Sequence, residues 1–172
     1  EPVPHLEPIL PPQVRSAPIG SIYEWRADTL VLEIGRRLRK DGGAALVIDY
    51  GHTRSGVGDT LQSLGGHSFA DPLVTPGEVD VTAHVDFQAV AEAAENMGCG
   101  TQGPIEQRAF LRNLGIEARA AALRKTASPA QVAEIDAALV RLIGDGRTSM
   151  GEMFKVMAIA DPKLGRLPGF DD

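Results

Sequence analysis

Five consecutive apolar residues, Ala44-Ala45-Leu46-Val47-Ile48, place the strongest constraint on this chain. They follow a glycine pair, Gly42-Gly43, that closes a helically periodic segment. A run this short and unbroken reads as a strand covered on both faces, the mark of a parallel sheet flanked by helices. The preceding segment predicts a helix over about residues 29–40, capped by Asp28, with Leu30, Val31, Ile34 and Leu38 on one stripe. Its basic residues 36–40 suit the C-terminal end of the helix dipole. The expected fold class is therefore α/β. Asp49-Tyr50-Gly51-His52 then fall at the carboxyl end of the strand, the edge where open α/β sheets bind ligands.

The rest of the chain supports a single domain over residues 19–172. Residues 51–81 carry no long periodic run, and so long a connection in a compact domain is functional or mobile. Asp86 predicts the cap of a helix over about 87–97, with Phe87, Val90, Ala91, Ala94 and Met97 inward. Pro104 suits the first turn of a helix over about 105–114, ended by Gly115, and a further helical piece covers about 117–125. Ser128-Pro129-Ala130-Gln131 is a capping-box pattern that opens a helix over about 129–143, with Val132, Ile135, Leu139 and Leu142 on one face. Residues 153–160 read as the last strand. At the other end, six of the 12 prolines lie in residues 1–18, which predicts an extended arm without helix. Glu1 opens directly into that arm, so an earlier segment is expected to have been removed or left out.

Composition narrows the function classes. Seventeen basic residues against 23 acidic ones give a net charge of −6, and the basic stretch at 36–40 is the densest, so nucleic acid is not an expected partner. No apolar run approaches the roughly 20 residues of a membrane span. The single cysteine, Cys99, excludes an internal disulfide and cysteine-based zinc sites, and suits a reducing compartment. Following a helix, it reads as a buried, inert thiol.

Four motifs compete for chemistry. Gly98-Cys99-Gly100-Thr101-Gln102-Gly103 matches the dinucleotide pattern G-x-G-x-x-G, but a helix precedes it where a strand is required, so Gly98 reads as a helix C-cap. His52, His67, His84, Asp59, Asp71 and Asp86 are metal-ligand types without helical pair spacing; a metal-dependent hydrolase on His52, His84 and Asp86 is one alternative. Asp49 either caps the next turn or faces the ligand cleft. Tyr23 and Trp25 read as core anchors in preference to a cleft wall.

Taken in order, four markers resemble a known family. They are Val47-Ile48-Asp49-Tyr50-Gly51-His52 with Gly58-Asp59-Thr60-Leu61-Gln62, and Asp71-Pro72-Leu73 with Pro76-Gly77-Glu78-Val79-Asp80-Val81-Thr82-Ala83-His84-Val85-Asp86-Phe87. Then come Gln102-Gly103-Pro104-Ile105 with Phe110-Leu111-Arg112-Asn113-Leu114-Gly115-Ile116, and Met150-Gly151 with Phe154-Lys155-Val156. Over about residues 20–160 the chain resembles the C-terminal half of the MidA-type methyltransferases, S-adenosylmethionine-dependent enzymes whose mitochondrial members support respiratory complex I assembly by methylating a protein arginine. The resemblance implies a Rossmann-like, seven-stranded sheet in which the strand at 44–48 is fifth and that at 153–160 the antiparallel seventh. Helices between about 104 and 143 would be an insertion between the last two strands. It also implies that the glycine-rich cofactor loop lies in an N-terminal half absent from this chain.

The implied activity is methyl transfer from S-adenosylmethionine to a protein substrate, in the bacterial cytoplasm or the mitochondrial matrix. A guanidinium acceptor suits carboxylates, which bind it in bidentate fashion and can take its proton. Asp49, Asp59 and Asp86 are the catalytic candidates; Tyr50, Gly51, His52, Thr60 and His84 are expected to line the same cleft, without a metal. A sheet edge left open would favour pairing with the N-terminal half or with a second copy of the chain. The remaining alternative is a non-catalytic protein-interaction module.

Overall fold

The structure, a computed structural model, describes residues 8, 10–25, 29–66, 68–74, 76–146 and 149–171. Asp28, His67 and the first seven residues of the proline arm therefore lie outside the described residues. Within the arm one turn of helix, α1 (Pro12–Arg15), interrupts the extended path that the prolines predict. Pro12 sits in its first turn, where the missing N–H costs no hydrogen bond.

Helix α2 (Thr29–Asp41) leads through Gly42 and Gly43, both at positive φ, into strand β1 (Ala44–His52). A small antiparallel sheet then occupies the region read as a loop: β2 (Gln62–Gly65) pairs with β3 (Ser68–Phe69) on one side and β4 (Asp80–Thr82) on the other. Its strands have two to four residues, too short for periodicity to reveal. Next come β5 (Val85–Asp86), α3 (Phe87–Asn96) and β6 (Gly100–Glu106). The helices α4 (Gln107–Asn113), α5 (Ile116–Arg124), α6 (Pro129–Ile143) and α7 (Met150–Met153) precede the last strand, β7 (Phe154–Ala160). The helical segment thus falls between β6 and β7, and Ser128 and Gln131 form the reciprocal capping box at the start of α6.

The main sheet has the order β5-β1-β7-β6. β1 runs antiparallel to β7 over Ala44–Tyr50 and parallel to β5 only at Gly51 and His52. Burial on both faces, expected of β1, belongs instead to β7. The central position of β7 places Ile159 under α2 and α3 with Leu38, Ala94 and Cys99, and Val156 and Ala158 under α4 and the C-terminal segment with Phe110 and Phe170. On β1, Ala45 and Val47 pack into the first of these clusters, while Leu46 and Ile48 remain 50% and 45% exposed.

Pro104 also falls differently. It lies in β6, not at the start of a helix, within an irregularity between Gln102 and Ile105. β6 is the edge strand, the place in a sheet that tolerates a missing donor. Gly103 lies at φ +86°, and a Cβ there would come within 2.5 Å of the Val156 carbonyl oxygen, so this bend requires glycine.

Candidate active site

Six of the residues singled out by sequence, Tyr50, Gly51, His52, Thr60, His84 and Asp86, converge where β1 ends. Gly51 lets β1 approach β5 closely, since a Cβ would lie 2.2 Å from the Val85 carbonyl oxygen. That approach places His52 opposite Asp86, with Nε2 3.6 Å from Oδ2. Asp86 has two tasks. Its Oδ1 accepts the Ala89 N–H at 3.1 Å and caps α3. Its Oδ2 is buried without a hydrogen-bond partner. Such an atom in a native interior calls for an explanation.

Thr60 joins the group through a relay of hydrogen bonds. The His84 N–H donates to its Oγ1 at 2.9 Å, and that hydroxyl donates to Glu24 Oε2. The Thr60 N–H donates to Glu24 Oε1 at 3.1 Å. The Gly58 N–H donates to the Ile22 carbonyl at 2.9 Å, so the segment 22–25 is strapped along the loop that follows β1. Tyr50 shapes the edge as expected: its ring meets His84 edge-on at 5.7 Å and Phe154 at 5.4 Å.

Two cavities open around this group. The first, of about 340 Å³, is lined by Tyr23, Glu24, Trp25, His84 and Asp86, with the flanks of α2 and α3 closing it. The second, of about 280 Å³, shares Tyr23, Glu24 and His84 and adds His52, Arg54 and Thr60. Trp25, expected in the core, is 54% exposed and forms cavity wall. The indole therefore covers the cavity instead of filling a core.

The other two carboxylates lie outside both cavities. Asp49 lies within β1 opposite Lys155 of β7, neither after the strand nor in a turn, and its Oδ1 accepts the N–H of the adjacent Tyr50 at 2.8 Å. Asp59 is exposed on the loop. Glu24 is the residue that sequence reasoning missed. Its partner Thr60 is 36 positions away, and no local pattern signals so long a contact.

No group of three metal-ligating side chains occurs among the described residues, and the ring of His84 is packed against Tyr50; His52, His84 and Asp86 do not form a ligand set. Nor do the described residues build a cradle for S-adenosylmethionine. The Gly98–Gly103 motif follows α3 and runs into β6 against β7, whereas a cofactor loop must leave a strand and open a helix. Gly56 and Gly58 do follow β1, but they lead to β2 and not to a helix.

The site therefore presents two carboxylates and three aromatic rings at the carboxyl edge of a mixed α/β sheet, a setting for a transferase acting on a cationic group. A family model described as S-adenosyl-L-methionine-dependent methyltransferase matches residues 9–105, a stretch that includes Glu24, His52, Thr60, His84 and Asp86. The chain belongs to this methyltransferase family.

Among curated relatives, it is 37% identical over 134 residues to the mitochondrial protein arginine methyltransferase NDUFAF7 of Danio rerio, covering 77% of this chain and 31% of that protein. The Drosophila melanogaster homologue is 38% identical over 159 residues, covering 92% of this chain and 35% of the homologue. The chain thus spans about a third of the length of these relatives. A solved Burkholderia thailandensis protein, described as a methyl transferase and bound to S-adenosyl-homocysteine, superposes with a TM-score of 0.61 at 31% identity, over 82% of this chain and 36% of that one.

Proposed function

We propose that this chain forms the acceptor side of an S-adenosylmethionine-dependent protein arginine methyltransferase. The observation that carries this reading is the first cavity. Asp86, whose Oδ2 is buried without a hydrogen-bond partner, lines a space walled by Tyr23, Trp25 and Glu24. A guanidinium satisfies such a site on every side. Its N–H groups need carboxylate oxygens, and its planar face stacks on aromatic rings. Asp86 is the carboxylate that touches the acceptor nitrogen, and Glu24 orders the wall through Thr60. His84 lines this cavity too, His52 and Thr60 line the second cavity beside it, and Tyr50 and Gly51 hold the β1 edge that positions them.

The cofactor cradle belongs to the remainder of the polypeptide. In this reading the outer edge of β1, paired among the described residues only at Gly51 and His52, takes a further strand from that remainder. The relatives' names place them in mitochondria, and for a eukaryotic source the matrix is the corresponding compartment; for a bacterial source it is the cytoplasm.

The test is methylation by the intact protein that carries this chain, with labelled S-adenosylmethionine and an arginine-containing peptide, read by mass spectrometry. Methylarginine is expected from the wild type, with at least a hundredfold less from Asp86→Asn. Asparagine retains the helix cap, so loss of folding does not account for the change. Methylation of another residue type, or full activity of the variant, overturns the reading.

A further inference from the structure

The geometry points to the small sheet of β2, β3 and β4 as a docking face for the protein substrate, one that selects a basic segment with an apolar residue near the acceptor arginine. The inference rests on the arginine-acceptor reading and adds to it the sequence context the enzyme takes. Leu64 stands opposite Phe69 of β3 and opposite Asp80 of β4, so the three form one row across one face of the sheet. All three are exposed, Phe69 to 80% and Leu64 to 39%. An aromatic ring and a leucine side by side in water mark an interaction surface.

That row is joined to the candidate site. Gln62 and Thr82 are the next pair on the same face. Two residues beyond them come Thr60 and His84, which are hydrogen-bonded to each other and both line the second cavity. From Thr60 to Leu64 an extended chain covers about 13 Å. A peptide whose arginine enters the cavities therefore brings a side chain about four to six residues away onto Leu64 and Phe69.

Charge selects the occupant. Residues 55–85 contain Asp59, Asp71, Glu78 and Asp80 but no Lys or Arg. All four carboxylates are exposed, and no Lys or Arg among the described residues pairs with any of them. An acidic surface with an apolar centre fits a basic segment: cationic side chains face Asp59 and Asp80, and one aromatic or aliphatic side chain rests on Phe69 and Leu64. A second copy of this chain would bring the same carboxylates face to face, which disfavours it as the occupant.

The experiment uses the intact methyltransferase and a peptide with one central arginine, flanked on both sides by lysines and a phenylalanine. Wild type is compared with Phe69→Ser and Asp80→Lys, neither of which lines a cavity. Both variants are expected to raise KM for the peptide about tenfold and to leave kcat within about twofold, the pattern of a contact made equally in the ground and transition states. Replacing the peptide lysines by glutamates should raise the wild-type KM at least tenfold, and Asp80→Lys should recover about a third or more of that loss. Binding of each peptide is also read by fluorescence anisotropy, without the methyl donor.

A KM that stays within twofold for both variants and for the glutamate peptide overturns the docking face. So does a dimer that Phe69→Ser converts to monomer with KM unchanged, which would make the face an interface between copies. A lower melting temperature of Phe69→Ser with KM unchanged also overturns it, because the face would then seat another part of the polypeptide. Peptide binding that depends on Phe69 and Asp80 without any methylarginine supports the face and overturns the acceptor reading alone.

Discussion

Glu24 holds Thr60 at two points, the main-chain N–H at 3.1 Å and the hydroxyl, across 36 residues of sequence. The same hydroxyl accepts the N–H of His84, so one carboxylate fixes the segment that carries Trp25, the loop after β1 and the approach to β5. Hydrogen bonds to a charged acceptor are worth about 1.5–3 kcal/mol each when buried, and somewhat less at a half-buried site. Glu24→Gln is expected to lower stability by about 1–2 kcal/mol, read from the urea midpoint at constant m-value. It should also raise KM for an arginine peptide about tenfold in the intact enzyme, a change of about 1.4 kcal/mol. An unchanged midpoint would show that the strap does not hold the wall.

Gly51→Ala tests whether the close pairing of β1 and β5 is required. The new methyl would overlap the Val85 carbonyl oxygen at 2.2 Å and press on Phe87 at 2.9 Å. Overpacking of this kind costs about 1–3 kcal/mol or more, and the strands cannot separate without moving His52 from Asp86. Loss of stability of that size and loss of methyl transfer are expected together. Gly56→Ala in the neighbouring loop, where a Cβ meets nothing within 4 Å, should change stability by less than about 0.5 kcal/mol.

Acid should reach α2 through Glu33. Hydrogen bonds from Arg36 and then Arg37 lower the Glu33 carboxyl from 4.5 to about 2. A carboxyl held below its unfolded value stabilises the fold above pH 4.5, and that contribution is lost as pH falls toward 2. Carboxyl carbon shifts followed by NMR should show a Glu33 midpoint near 2. Because the pair is exposed, about 1 M salt should move it back toward the ordinary value. A midpoint near 4.5 at low salt would show that the two arginines are not engaged.

Cys99 should resist alkylation in the native state. Burial among Leu38, Ala94 and Ile159 pushes its thiol pKa up, which lowers the thiolate fraction as well as access. At pH 8 iodoacetamide is expected to modify Cys99 at least a hundredfold faster in denaturing urea than in buffer. Equal rates would place the thiol at the surface.

Much of the fold was legible in local pattern. The end of α2 at Gly42, the Asp86 cap, the Ser128 capping box and the last strand all follow from interactions within a few residues. The existence of β1 was legible for the same reason, because a short apolar run after a glycine pair reads as a strand; its end was not, since the strand runs on through Asp49-Tyr50-Gly51 to His52. The β2–β4 sheet was not legible, since strands of two to four residues carry no period. The identity of the strand buried on both faces was not legible either. Apolar runs 44–48 and 156–160 look alike, and only the sheet order decides that β7 lies between two neighbours and two layers.

The candidate site divides along the same line. Sequence alone determined which chemistry is available: carboxylates and histidines at a strand end, one cysteine, no long apolar run and no cofactor loop in the required context. Tertiary structure decided which of these groups meet. Asp49, Asp59 and Asp86 are equivalent as residue types, yet Asp49 lies within β1 and accepts its neighbour's N–H, Asp59 faces solvent, and Asp86 alone of the three lines the first cavity and carries a buried oxygen without a hydrogen-bond partner. Glu24 enters the site only because hydrogen bonds bring residues 36 positions apart into contact. Propensity, capping and periodicity act over a turn of helix or a pair of strand residues. Convergence depends on sheet order and chain crossing, which no local interaction encodes.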